Sequence, residues 1–203
     1  VSPIEQKRRI IDVISQLKIE MPKDKIISVD TTSSEVAEAA IDLGVEMIND
    51  VSGGNEDERM MSLIAKHNLY YCIMHMQGSP KTMQDNPKYN NVVSEIIDFL
   101  GFQSKKAMDL GVSKDKIFLD PGIGFGKNLK HNLTLISKIS LFHSLGFPIL
   151  IGTSRKRFIS QISGANDSKE RIGGTVASVL FLLSQGVQIF RVHNVNEVKQ
   201  GIL

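Results

Sequence analysis

Short apolar runs that alternate with helical patterns constrain the fold of this 203-residue chain more than any other feature. The runs are apolar throughout, without the alternation that marks a strand with one wet face, so we expect both faces to be covered. A regular succession of strands and helices favours a parallel sheet. No linker or low-complexity segment interrupts the succession. The pattern predicts one α/β domain over residues 1–203, with about six parallel strands and surrounding helices.

Flanking residues set the expected bounds of these elements. Ser2 and Pro3 are typical of a helix start, and glycine follows several predicted helices, where it ends a helix without strain. The predicted strands are 26–30, 47–51, 70–75, 116–120, 148–152 and 189–194. The predicted helices are 2–18, 31–43, 57–67, 91–110, 132–145 and 170–184, with another beginning after 194. A long polar loop is expected over 76–90.

The stretch from Asp120 to Lys127 is the strongest candidate for a ligand contact. A buried strand is expected to end at this carboxylate, because Pro121 has no N–H for the sheet. Three glycines then let the backbone turn tightly and approach a ligand, as α/β folds often do at strand ends. Neither nucleotide motif fits, because Pro121 and Asn128 occupy required P-loop positions and the glycines lack the dinucleotide spacing.

Polar side chains recur at the carboxyl ends of the predicted strands. They are Asp30, Asn49, Asp50, His75, Asp120, Ser154, Lys156, Arg191 and His193. In a parallel barrel these strand ends lie at one face, so the side chains are expected to converge on one pocket. Any single one is compatible with a helix cap or a surface position, but recurrence at the same end of each strand favours a binding site.

The chemistry of these side chains predicts a pocket with two unlike sides. Carboxylate and amide acceptors pair well with the adjacent N–H donors of a heterocycle. This side consists of Asp30, Asn49 and Asp120. Cations pair well with phosphate, arginine in a bidentate manner. This second side consists of Lys156, Arg191 and His193. No zinc spacing and no Ser-His-Asp pattern is present.

Composition excludes several classes of function. The net charge is +2 and the basic residues are spread along the chain, so no nucleic-acid partner is predicted. No apolar run approaches the roughly 18 residues of a membrane span, and neither a membrane partner nor a signal peptide is expected. Cys72 is the single cysteine, which excludes an internal disulfide and favours a reducing compartment. We therefore expect a cytoplasmic protein.

Six stretches together resemble dihydropteroate synthase of folate biosynthesis, a pterin-binding family. They are 28–31, 48–54, 75–78, 120–127, 152–158 and 191–195. They follow the family's order along the whole chain, and their combination is highly specific. The resemblance implies a (β/α)₈ TIM barrel and a transferase in which para-aminobenzoate displaces pyrophosphate from hydroxymethyl-dihydropterin diphosphate. It also implies Mg²⁺ as cofactor, small-molecule substrates, a homodimer and a sulfonamide target.

The resemblance also assigns roles to individual residues. The pterin-binding residues it implies are Asp30, Asn49, Met76, Asp120, Phe125 and Lys156. It implies that Arg191 and His193 bind the diphosphate, and that Ser154 and Lys156 bind the aminobenzoate. The catalytic residues it implies are Asp120, Lys156 and Arg191, and no metal ligand is identified in this chain.

The implied chemistry suits these residues. Breaking the C–O bond to the diphosphate builds negative charge on the leaving group, which Arg191, His193 and Mg²⁺ would stabilise. The methylene carbon becomes electron-poor, and Asp120 would stabilise a cationic pterin electrostatically. The amine of para-aminobenzoate needs little activation, so no general base is assigned and a dissociative displacement is expected.

The chain departs from the family's pattern at both ends. Two strand–loop units that the family places before Val1 are not found, and the last helix stops at Leu203. Those units carry the loops over aminobenzoate and an Asn that helps to bind Mg²⁺. We therefore expect an incomplete barrel whose strands 26–30 and 189–194 have unpaired edges, which invite aggregation. This exact chain alone is expected to be poorly soluble and inactive, whereas the intact protein is expected to be an active enzyme.

Two alternative functions stay open at this point. One is a pterin-dependent methyltransferase that passes a methyl group from methyltetrahydrofolate to a corrinoid protein. Such an enzyme shares the pterin-side acids but has no need of Ser154, Lys156 or a diphosphate site. The other alternative is a non-catalytic pterin-binding fragment. Formation of dihydropteroate by a full-length version separates the three hypotheses.

Overall fold

A computed structural model describes residues 1–79 and 82–203. These residues divide into two compact units. Unit 1 comprises Val1–Met74 and Leu100–Phe118, and unit 2 comprises His75–Phe99 and Leu119–Leu203. Whether the whole chain forms one domain stays a prediction. No helix in the described ranges is long and apolar enough to cross a lipid bilayer.

Unit 1 consists of parallel strands that alternate with helices. Its complete elements are α1 (Pro3–Glu20), β1 (Ser28–Asp30), α2 (Ser34–Asp42), β2 (Met47–Asp50), α3 (Met60–His67) and β3 (Tyr70–Met74). Two further elements, α4 (Val92–Asp109) and β4 (Ile117–Asp120), contribute residues to both units. The strand order is β1-β2-β3-β4, with parallel pairing of β1 to β2 and of β2 to β3.

Local sequence explains several features of unit 1. Ser2 caps α1 by accepting a hydrogen bond from the Glu5 backbone N–H at 3.4 Å. Gly44 follows α2 with a φ of 84°, which glycine adopts without strain. Ile48 of β2 and Tyr71 of β3 are both completely buried. Residues in these two parallel strands are therefore covered, as their continuous apolar character predicts.

Unit 2 continues the alternation of helices and strands. Its elements are α5 (Leu129–Ser137), β5 (Leu150–Ile151), α6 (Arg157–Ser163), α7 (Ile172–Ser184), β6 (Ile189–Phe190) and α8 (Val195–Ile202). β5 and β6 are parallel, and Leu119 forms a parallel bridge to Ile149. The Arg191 N–H donates to the Ile151 carbonyl at 2.9 Å, so the segments that follow β5 and β6 leave the sheet side by side.

The structure differs from the predicted elements in three places. Helix α6 was not predicted, since its seven residues are too short for a clear apolar stripe. The predicted helix 132–145 begins at Leu129, because Asn128 caps it by accepting the His131 N–H at 2.9 Å, and a 3₁₀ helix takes over at Ile139–Leu145. The strands are shorter than predicted, at the amino end in β1 and at both ends in β5. Of the predicted loop 76–90, Pro80 and Lys81 lie outside the described residues.

Candidate active site

Asp120 ends β4 in unit 2 and lies at the base of the glycine-rich turn. It is 7% exposed, and its Oδ1 accepts the Gly122 N–H at 2.7 Å. Its second carboxylate oxygen receives no hydrogen bond from the described residues. Burial raises the pKa of Asp120, while the Gly122 N–H and the positive charges of Lys156, Lys127 and Arg191 oppose that rise. The site therefore holds an acid with capacity for a further donor.

The glycine-rich turn packs directly against the segment that follows β3. A Cβ at Gly122 would lie 2.0 Å from the His75 carbonyl oxygen, and one at Gly126 would lie 2.3 Å from the Gln77 carbonyl oxygen. Both glycines have positive φ, at 71° and 63°. No side chain fits at either position without moving backbone, so these glycines fix how close the two segments approach.

Side chains from neighbouring segments hold the turn in place. The Gly124 N–H donates to Asn132 Oδ1 at 2.7 Å, and Gln84 Nε2 donates to the Gly124 carbonyl at 2.6 Å. Tyr89 Oη donates to the Gly126 carbonyl at 2.9 Å. The turn thus has its backbone groups satisfied by side chains, which stabilises one conformation before any ligand binds.

Lys127 closes the turn with a buried ammonium group. The residue is 2% exposed. Its Nζ lies 2.8 Å from the Phe125 carbonyl oxygen, 3.0 Å from His75 Nδ1 and 3.3 Å from the His75 carbonyl oxygen. Burial and the Lys127 charge lower the pKa of His75 to about 3, so this ring is neutral, and its Nδ1 accepts from Lys127 in the tautomer that carries the proton on Nε2. Burial also lowers the pKa of Lys127 to about 7, against the charge of Asp120.

Lys156 stacks on the aromatic side chain of the turn. Its Nζ lies 4.0 Å from the centre of the Phe125 ring, a cation–π contact. Burial lowers the pKa of Lys156 to about 8, while the charge of Asp120 opposes that shift. A cavity of about 470 Å³ lies beside this pair. Its lining residues are Gln84, Gly124, Lys127, Asn128, Leu129, Asn132, Arg155, Lys156, Arg157, Phe158 and Gln161.

Ser154 and His193 form a pair across the segments that follow β5 and β6. Ser154 Oγ lies 2.9 Å from His193 Nδ1, and the same Oγ accepts the His193 backbone N–H at 3.2 Å. Ser154 is buried, whereas His193 is exposed. Burial lowers the pKa of His193, and the positive charges of Arg155, Arg191 and Lys156 lower it further. A neutral imidazole whose Nδ1 is engaged by the serine presents Nε2 outward.

Arg155 lies between these residues in a strained conformation. Its φ is 58°, a left-handed value that is uncommon for a residue with a side chain. Its guanidinium donates to Asn194 Oδ1 at 2.7 and 3.2 Å, and its N–H donates to Thr175 Oγ1 at 3.2 Å. Arg171 donates to its carbonyl at 2.9 Å. These contacts hold the turn at Arg155, which separates Ser154 from Lys156.

The remaining predicted residues of unit 2 are Arg191 and Met76. Arg191 is exposed and directly follows β6, two positions before His193. Met76 is half-buried and directly follows His75. Unit 2 therefore brings together Lys156 with Phe125 and Ser154 with His193, and it places the cations near Asp120.

Unit 1 contains the other two predicted residues as a hydrogen-bonded pair. Asn49 Nδ2 donates to Asp30 Oδ1 at 3.0 Å. Asn49 is 5% exposed, and its Oδ1 finds no hydrogen-bond partner among the described residues. Buried amide oxygens are normally satisfied, so this acceptor points to a ligand donor. That the predicted residues of both units share one pocket stays a prediction.

Sequence reasoning missed several residues of the unit 2 site. Lys127 ends the candidate stretch 120–127, but the sequence assigns no role to its side chain. Arg155 lies inside the family-like stretch 152–158, but nothing in its sequence context announces a left-handed backbone. Tyr89 lies 37 positions before Gly126 along the chain, so only folding reveals its contact with the turn.

Comparison with protein families places the chain among pterin-binding proteins. The family described as pterin binding enzyme matches residues 1–193. The dihydropteroate synthase of Synechocystis sp. is 39% identical over 200 residues, which cover 98% of this chain and 68% of that protein. These values apply to nearly the whole chain rather than to an isolated motif.

Solved structures give the same result for the fold. The dihydropteroate synthase of Thermus thermophilus in complex with 6HMPPP superposes with a TM-score of 0.91 at 41% identity, covering 100% of this chain and 78% of that chain. The Yersinia pestis enzyme with a sulfonamide drug complex gives 0.94 at 36% identity, covering 100% and 72%. These structures are TIM barrels, so the predicted α/β barrel class is confirmed.

Proposed function

Because this chain belongs to the dihydropteroate synthases, within the pterin-binding enzymes, we propose how its side chains divide between the substrates of that reaction. The reaction is a group transfer in folate biosynthesis: hydroxymethyl-dihydropterin diphosphate and para-aminobenzoate give dihydropteroate and pyrophosphate. The observation that carries the division is Asp120, a buried carboxylate with hydrogen-bonding capacity to spare that is influenced by the charge of Lys156.

The pterin is assigned to the acceptor groups. Adjacent N–H donors of the pterin ring suit the carboxylate of Asp120 and the unsatisfied Oδ1 of Asn49. The flat ring suits an apolar wall such as Phe125. The residues proposed to bind pterin are Asp30, Asn49, Met76, Asp120, Phe125 and Lys156.

The diphosphate is assigned to Arg191 and His193. Arginine presents a planar fork of donors that matches phosphate oxygens. Since Ser154 engages His193 Nδ1, the Nε2 atom remains to donate to a phosphate oxygen. As the C–O bond breaks, charge grows on the leaving diphosphate, and these two donors stabilise that charge.

The aminobenzoate is assigned to the cavity of about 470 Å³ beside Lys156. Basic and amide side chains line this cavity without a carboxylate among its described lining residues. Such a lining suits an anionic carboxylate group. Ser154 also stays a proposed aminobenzoate contact, although its hydroxyl already engages His193. The amine attacks the electron-poor methylene of the pterin, and no general base is assigned.

Magnesium stays a proposed cofactor on the family resemblance. The described residues contain no group of three or more His, Cys, Asp and Glu side chains that could hold a metal ion. These residues alone therefore do not fit a protein-bound Mg²⁺ site. In phosphate chemistry Mg²⁺ is usually held by one or two carboxylates with phosphate oxygens and water. No step of the proposed mechanism is routed through the ion.

Three further properties are proposals from the family. The Yersinia pestis relative is described with a sulfonamide drug, so we propose that this enzyme is also a sulfonamide target. A homodimer and a cytoplasmic location complete the proposal. Size measurement in solution tests the homodimer, and fractionation of cells tests the cytoplasmic location.

The decisive experiment measures dihydropteroate formation by the full protein. Arg191→Ala is expected to weaken binding of the pterin diphosphate by about 100-fold, because a bidentate charged contact is lost. Affinity for free hydroxymethyl-dihydropterin should stay within about threefold. Lys199→Ala removes an exposed charge from α8 and serves as the matched control. Equal loss of both ligands would contradict the division of roles.

The same assay separates the alternative functions. A methyltransferase would use methyltetrahydrofolate and would form no dihydropteroate. A non-catalytic pterin-binding protein would bind pterin without turnover. Turnover with para-aminobenzoate and the pterin diphosphate excludes both.

A further inference from the structure

We propose that Lys127 is a positioning residue whose buried ammonium group keeps the Asp120 carboxylate ionised for the pterin while holding the glycine-rich turn. The inference rests on the proposed role of Asp120 in pterin binding. Lys127 lines the cavity of about 470 Å³, but the division of roles given above assigns no contact to its own ammonium group. What distinguishes Lys127 is that its Nζ is held by Phe125 and His75 beneath the turn.

The acceptors around Lys127 match an ammonium group. An ammonium group has three N–H donors. When His75 carries its proton on Nε2, three acceptors surround Nζ: the Phe125 carbonyl at 2.8 Å, His75 Nδ1 at 3.0 Å and the His75 carbonyl at 3.3 Å. A neutral amine has one donor fewer and would leave one acceptor unpaired. The geometry thus favours the charged form even though the residue is 2% exposed.

The charged groups that face this pair come from several segments. Asp120 is influenced by Lys156, Lys127 and Arg191. Lys127 in turn is influenced by Asp120 and Lys156, and it contacts the neutral ring of His75. The geometry also places the two groups close together, since a Cβ at Gly122 would lie 3.4 Å from Lys127 Nζ and the Gly122 N–H donates to Asp120 Oδ1 at 2.7 Å.

Lys127 and Lys156 are not equivalent counter-charges for Asp120. Both side chains line the cavity, but Lys156 is half-buried and its Nζ stacks on Phe125, so a ligand would change its surroundings more. Lys127 is held by backbone carbonyls and the His75 ring. These contacts hold the Lys127 Nζ in one position. A fixed cation lowers the cost of ionising a buried acid, and this is the condition for binding the N–H donors of the pterin.

The test compares three variants of the full protein by calorimetric titration with hydroxymethyl-dihydropterin across pH. Lys127→Met removes the charge and keeps the volume, and Lys127→Arg keeps the charge. Tyr89→Phe is the matched control, because it removes the hydrogen bond from Tyr89 Oη to the Gly126 carbonyl and loosens the same turn without changing charge.

Loss of the Lys127 charge should raise the pKa of Asp120. In Lys127→Met the pH below which affinity is lost should therefore move up by about one unit, with about tenfold weaker binding at pH values below the pKa of Asp120 in the wild-type protein. Lys127→Arg should return the pH at which affinity is lost to its wild-type value, and Tyr89→Phe should not change this pH. If the pH at which affinity is lost is unchanged in Lys127→Met, or shifts equally in Tyr89→Phe, the inference is overturned. If the wild-type protein itself binds no pterin, the proposed function fails instead.

A measurement on the wild-type protein decides the matter if Lys127→Met does not fold. The carboxyl carbon of Asp120 is followed by NMR in protein labelled at aspartate, together with the Nζ signal of Lys127. Because the pKa of Lys127 is about 7, the Asp120 signal should show a step at the pH where the Lys127 signal titrates. An Asp120 signal that does not respond as Lys127 titrates would overturn the coupling.

Discussion

Two aspartates that each end a strand differ in how many hydrogen bonds their carboxylates receive. Asp50 ends β2 in unit 1 and Asp120 ends β4 in unit 2, and they are 0% and 7% exposed. Burial raises the pKa of both carboxyl groups. Asp50 accepts four hydrogen bonds, two from Ser52, one from the Gly54 N–H and one from Tyr71 Oη, at 2.7 to 2.9 Å. The Asp120 carboxylate accepts one hydrogen bond from the described residues.

The difference separates a structural acid from a binding acid. Each oxygen of Asp50 has two donors from its own chain, so the carboxylate is saturated and fixes the Ser52–Gly54 turn. Asp120 keeps an oxygen for other donors and has cations nearby instead. Position at a strand end therefore does not by itself identify a ligand contact. For these two carboxylates, the number of hydrogen-bond donors that the fold supplies separates the structural acid from the proposed binding acid.

The largest expected effect is on binding at Asp120. Asp120→Asn keeps the shape but removes the charge that strengthens bonds to the pterin N–H groups, so turnover should fall by about 100-fold or more. The melting temperature should not fall, because burial disfavours the charged carboxylate. Steady-state kinetics measures the turnover, and calorimetry measures the melting temperature. Full turnover in this variant would remove Asp120 from the binding role.

The next largest effect is on stability at Asp50. Asp50→Asn replaces an oxygen that receives two donors by an amide nitrogen, so the free energy of unfolding should fall by about 2 kcal/mol. Turnover per folded molecule should stay within about twofold of wild type, since no ligand contact is lost. Chemical denaturation and active-site titration separate the two readouts. A variant as stable as wild type would show that the four-donor network is dispensable.

Acid stability tests the neutral histidine beside the Asp120 site. The pKa of His75 is about 3 in the folded protein against 6.5 ordinarily, so the unfolded chain binds the proton first as pH falls. Stability from His75 is present above pH 6.5 and is lost on going down toward pH 3, with a slope of at most about 1.4 kcal/mol per pH unit.

The measurement is the difference in unfolding free energy between wild type and His75→Phe at several pH values. The variant should show the flatter dependence between these limits, whereas His67→Gln, at an exposed histidine of α3, should follow wild type. Parallel curves for wild type and His75→Phe would mean that His75 protonates freely in the folded state.

The smallest expected effect concerns one donor of the Asp50 network. Tyr71→Phe removes the 2.8 Å hydrogen bond from Tyr71 Oη but leaves the other three, so stability should fall by about 1 kcal/mol. Pterin affinity should not change. Denaturation and pterin titration on the same sample check the pair of outcomes. A loss of pterin affinity without a loss of stability would place this network in ligand binding.

Much of the fold and part of the site followed from sequence alone. The alternation of apolar runs with helical patterns predicted parallel strands, and the strand ends predicted Asp120, Lys156 and His193 as candidates. The 3.0 Å bond between Asn49 and Asp30 joins two residues that the sequence had grouped. Helix α6 was missed, because seven residues give too weak a periodic signal.

The residues by themselves determined the elements, the glycine turn and the types of charge at the strand ends, since these depend on local backbone preferences and on side-chain chemistry. Only tertiary structure decided which of those charges are saturated. Ser154 engages His193 39 positions away, and Lys127 engages His75 52 positions away. Hydrogen-bond partners at such separations are set by how segments pack, and burial then sets each pKa. That is why Asp50 and Asp120 look alike in sequence and differ in the folded protein.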